Sequence, residues 1–144
     1  MLRNFAKRFF LVLTVFLLLD ALWLGLVAPG FYRSQIGFLL REEPNWYAAG
    51  VFYLLFIVGL TVFVVTPTIR RDSLANGFFK GTLFGIVTYG TYDLTNLATI
   101  KGWPLTVTLV DLAWGAVLCG TTTLVSAWFG KRAADSTHSS EHHD

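Results

Sequence analysis

Charge is scarce in this chain. Only 14% of its 144 residues are Asp, Glu, Lys or Arg, while 54% are hydrophobic. A soluble domain carries about 25% charged residues, so the composition reads as an integral membrane protein. Cysteine is nearly missing. The single Cys119 excludes an internal disulfide and any redox chemistry built on a Cys-x-x-Cys pair. The three histidines, His138, His142 and His143, all lie at the C-terminal end. No apolar segment holds one, which argues against an intramembrane haem or histidine-ligated metal; no metal and no cofactor are expected. There is no Gly-x-Ser-x-Gly turn and no phosphate-cradling glycine loop. A formal charge of +2 is too small to suggest a nucleic-acid partner.

Long apolar runs dominate instead. A bilayer core of about 30 Å needs roughly 20 apolar residues per helix. The segments 9–28, 46–65, 77–97 and 104–129 meet that length, and Pro29, Pro44, Pro67 and Pro104 fall at or just beyond their edges. The expected fold is all-α, an integral membrane bundle of four transmembrane helices forming one domain over residues 1–130. Asp20 interrupts the first apolar run and no small-x-small site follows it, which argues against a cleaved leader. Between the first two spans, "GFYRSQIGFLLREEPN" places Tyr32, Ile36, Leu39 and Leu40 on one helical face. That predicts a short amphipathic external segment at the membrane surface. Residues 131–144 are polar and predict a disordered tail, whose histidines are read as solvated rather than metal-binding. Trp46, Tyr47, Trp103 and Trp128 at span ends read as interfacial anchors.

Orientation follows the basic residues. Arg3, Lys7, Arg8, Arg70, Arg71, Lys80, Lys131 and Arg132 fall on one side, against Arg33, Arg41 and Lys101 on the other. This bias predicts both termini in the cytoplasm of a multi-pass inner-membrane protein.

Three acids, Asp20, Asp93 and Asp111, lie inside the spans. Each costs about 2.5–3.5 kcal/mol near a helix centre on insertion scales. At about 1.5 Å per residue, all three fall in the outer half of the bilayer if both termini are inside. Gly77, Gly81, Gly85, Tyr89 and Asp93 are spaced four apart and form one ridge, continued by Asn96. Thr108, Asp111, Gly115, Cys119, Thr122 and Ser126 form a second small, polar face. "DALW" and "DLAW" set Trp23 and Trp114 three residues after an acid. The candidate site is Asp20, Asp93, Asn96 and Asp111, surrounded by Tyr89, Tyr92, Trp23 and Trp114. Buried carboxylates carry protons or hold cations, and phenol and indole faces favour cations.

The reading that follows is an acidic, aromatic-lined intramembrane pocket that binds or transports a small polar or cationic ligand, with proton coupling, rather than an enzyme. Four helices enclose little volume, so transport suggests a homodimer, for which the glycine ridge offers one surface. Two alternatives stand beside it. One is a membrane enzyme or accessory subunit in lipid or fatty-acid modification, with paired acids as general acid and base. The other is a purely structural role, in which the acids only fix helix packing.

"YGTYDLTNLATIKGWPL" followed by "DLAWG", together with "PNWYAAGVFYLLFIVGLTVFVV" and "GFYRSQIGFLL", resembles the bacterial membrane proteins of the family called domain of unknown function 2177. The resemblance covers roughly residues 5–130. It implies a four-span inner-membrane protein and brings no activity. The family's association with fatty-acid modification points toward a lipid-linked role. Asp20, Trp23, Tyr92, Asp93, Asn96, Asp111 and Trp114 fall on family-like positions.

Overall fold

The computed structural model describes the backbone of residues 2–140 and the side chains of residues 3–134. Among these residues all regular structure is helical. Helix α1 spans Leu2–Leu26, and α2 spans Ala28–Ile36, opened by Pro29 and followed by a 3₁₀ turn. Helix α3 spans Trp46–Leu60. It passes through a π-helical turn, Thr61–Val65, into α4, Thr66–Arg70. Helices α5, Leu74–Thr99, and α6, Leu105–Ser140, complete the chain. Two starts are capped by side chains: Asn45 accepts the Ala48 N–H at 3.1 Å and Ser73 accepts the Asn76 N–H at 3.1 Å.

Three helical stretches are long and apolar enough to cross a membrane: Arg3–Leu26, Trp46–Arg70 and Leu105–Ala134. The expected third span, 77–97, forms within α5, but α5 does not meet that criterion. Its glycines, threonines, asparagines, Lys80 and Asp93 dilute the apolar content. Helix α6 continues through Ser140, past the residue 131 boundary expected for the tail. Residues 141–144, with His142 and His143, lie outside the described residues, as does the His138 side chain.

The most extensive packing is α5 against antiparallel α6. Glycine makes it close. A Cβ on Gly85 would run into the backbone carbonyl of Gly115, and one on Gly81 would lie 2.6 Å from the Cys119 carbonyl oxygen. The ridge that was a candidate dimer surface is therefore consumed within one chain: Gly77 faces Thr68 of α4, while Gly81 and Gly85 face α6. On α6 the face carrying Thr108, Asp111, Gly115, Cys119, Thr122 and Ser126 is buried throughout. Thr122, Thr123 and Ser126 supply small volume there; among the described residues their hydroxyls have no partner.

The α3–α4 segment buries Phe56/Ile57, Leu60/Thr61, Val64/Val65 and Thr68. These inward positions recur every four residues. An ordinary helix, with 3.6 residues per turn, would let that row drift off the core; a wider π turn keeps it facing inward. The wide turn ends just ahead of Pro67, the residue with no N–H to offer.

At one end of the bundle the chain is basic. Lys80 pairs with Asp72 at 2.7 Å, Lys131 Nζ approaches the Ile69 carbonyl at 3.4 Å, and Arg132 covers the Trp128 ring at 4.0 Å. At the other end, α2 folds over the bundle. The face expected to lie on the membrane surface turns partly inward: Ile36 packs with Trp103 and Val107, and Phe31 and Tyr32 join them. Leu39 and Leu40 stay exposed. Trp103 is likewise no surface anchor. It is buried and donates from Nε1 to Thr108 Oγ1 at 3.1 Å, because Gly102, at φ +82°, turns the chain back at the head of α6.

Candidate functional site

Asp93 occupies the costliest position. It stands one helical step beyond Tyr89 on the inward ridge of α5 and is fully buried. Among the described residues, no donor reaches either of its carboxylate oxygens. Asp111, near the start of α6, lines the same cavity as Asp93.

The other acids have donors. Tyr32 of α2 donates its hydroxyl to Asp111 Oδ1. Burial first, and then the Asp111 carboxylate, push the Tyr32 phenol up, so it keeps its proton and remains a donor. The Trp23 indole and Tyr32 line the same cavity. On the α1 side, Tyr53 of α3 donates to Asp20 Oδ2 at 2.6 Å. Trp23 and Trp114, each three residues past an acid, stack with ring centroids 4.6 Å apart and planes 10° from parallel. The Trp114 N–H is buried and has no partner among the described residues.

These groups surround a cavity of about 460 Å³, within the size range of ligand sites. Asp20, Trp23, Tyr89, Tyr92, Asp93, Asp111 and Trp114 all line it, together with Tyr32, Tyr53, Phe52, Phe56, Leu24 and Thr88. Asn96 is the exception. It lies outside the lining. Leu24, Phe52 and Tyr92 are each about half exposed, so the cavity opens sideways between helices. The wall has three acids and no Lys, Arg or His. All of these lining residues come from one chain.

Two tyrosines that bond the site's acids escaped the sequence reading. Tyr53 sits in a helix that is hydrophobic all round, so periodicity cannot mark its face. Its signal was chemical: a phenol deep in an apolar run needs a partner. Tyr32 was on the page, but on a face assigned to the membrane surface.

An all-helical bundle with several membrane-length helices and a carboxylate-lined cavity defines a multi-pass membrane protein. The chain matches the family described as predicted membrane protein (DUF2177) over residues 5–128, and it belongs to that family. No curated protein and no solved structure matches it.

Proposed function

We propose that the protein binds a small polar or cationic ligand in this cavity and, by exchanging protons at its carboxyl groups, transports it. The observation that carries the proposal is the fully buried Asp93, aimed into the cavity with both oxygens unpartnered. An acceptor held that way is costly unless a ligand supplies the donor. The surrounding phenols and indoles add faces that attract a cation.

In this reading α5 crosses the membrane as a fourth span. Its 26 residues extend about 39 Å, and it lies along α6, which is itself long and apolar enough to cross. The basic end then faces the cytoplasm of the inner membrane with both termini, and the cavity occupies the outer half.

The test uses the site's own indoles. Titrating propylamine into the purified protein is expected to give a saturable change in tryptophan fluorescence. Asp93→Asn is expected to abolish the response while the protein still elutes as a folded species. Amine-dependent proton uptake into proteoliposomes would then establish transport. A flat titration with well-folded protein would sink the reading in favour of a structural role for the acids.

The Asp93–Asp111 pair favours a second reading, a lipid-modifying enzyme or its accessory subunit. Two carboxyl groups on one cavity wall are the kind of pair that general acid–base chemistry uses. That reading expects an altered lipid profile on deletion and no flux.

A further inference from the structure

The stacked indoles have a second side. Beyond them lies a groove of about 300 Å³ lined by Leu19, Leu22, Trp23, Leu26, Val27 and Trp114. Trp23 and Trp114 belong to both walls, so an acidic chamber adjoins a wholly apolar one along the indole pair. Leu22 and Leu26 on the groove side are largely exposed along α1, a helix of membrane-spanning length. An acidic cavity adjoining an apolar groove matches one kind of molecule, with a donor-bearing head and a hydrocarbon chain.

Resting on the cavity reading above, we propose that the ligand is a single-chain amphiphilic amine, its ammonium seated at Asp93 and its chain laid past the indole pair into the α1 groove. Charge selects the head. An ammonium supplies the N–H donors that Asp93 lacks, and the aromatic wall favours a cation over a neutral group. A phospholipid headgroup fits poorly, because its phosphate would meet three acids and no basic residue in the wall. Volume selects a single chain, since the groove is smaller than the cavity it adjoins.

The experiment is photolabelling of the full-length protein in phosphatidylcholine nanodiscs. The probe is dodecylamine carrying a diazirine at the far end of its chain. Adducts are expected on the α1 peptide containing Leu19, Leu22 and Leu26. Their yield should fall about tenfold under saturating unlabelled dodecylamine, as mass action requires. Adducts spread over other helices and insensitive to competitor would overturn the inference. If propylamine still changes tryptophan fluorescence in that case, the cavity reading survives and only the chain assignment falls. If propylamine also gives no response, both fail.

Discussion

Between Gly77 and Gly85, α5 lies so close to its neighbours that an added methyl group would strike Thr68 or the carbonyls of Cys119 and Gly115. Twelve ångströms or so further along, at about 1.5 Å per residue over the eight positions from Gly85 to Asp93, the same two helices stand around an acid-lined cavity. The closed end satisfies packing and leaves no room for a ligand. Among the described residues the cavity end keeps an unpaired carboxylate and an unpaired indole N–H that a merely stable bundle would replace with apolar residues. Small residues every four positions bring the helices together; Tyr89 and Asp93 continue that register along the cavity wall. On the proposed reading, stability and binding fall to different lengths of one helix pair.

The largest effect should come from breaking the closed end. Gly85→Val drives a branched side chain into the Gly115 backbone, which cannot yield as a side chain does. The cost should exceed the roughly 1–3 kcal/mol of ordinary overpacking. The monodisperse peak in size-exclusion chromatography should disappear. Mutation at the cavity end should have the opposite sign. Asp93→Asn lets the introduced amide donate to Asp111, relieving an unsatisfied buried acceptor. Resistance to denaturant should rise by about 1–3 kcal/mol even as amine binding is lost. A fall in stability would mean that Asp93 serves packing after all.

The smallest effect lies at the basic end. The Lys80 hydrogen bond holds the Asp72 carboxyl below its ordinary value of 3.8. A depressed carboxyl stabilises the fold above the unfolded value, and that contribution fades as pH falls through the folded one. Asp72→Asn should therefore lower thermal stability slightly at pH 7 and make no difference near pH 2. A gap that persists at low pH would assign the effect to packing instead of the ion pair.

Spacing alone made the α5 and α6 faces legible. Gly77, Gly81, Gly85, Tyr89 and Asp93 mark one side because small and polar residues are conspicuous in an apolar helix. The same logic failed for α3, where lipid-facing Leu54 and core-facing Ile57 are equally apolar. In a bilayer the outside resembles the inside, so hydrophobic periodicity loses its contrast. The paired Asp–x–x–Trp pattern pointed to the cavity, but nothing in the spacing says that two indoles on different helices stack. Tyr32 was out of reach for another reason: its role depends on α2 folding back over the bundle, a long-range contact with Asp111. α5 showed the reverse problem. The glycines and Asp93 that revealed its buried face also lowered its hydropathy below that of its neighbours.

The π turn at Thr61–Val65 acts as a phase dislocation in an otherwise regular screw. Upstream of it the helix aims the Tyr53 hydroxyl at Asp20; downstream it aims Thr68 at Gly77. Removing one residue from the turn would rotate one half against the other by about 100°. Either the phenol leaves the acid or the threonine leaves the glycine. A single surplus residue thus keeps the closed end and the cavity end of this helix in register with two different partners.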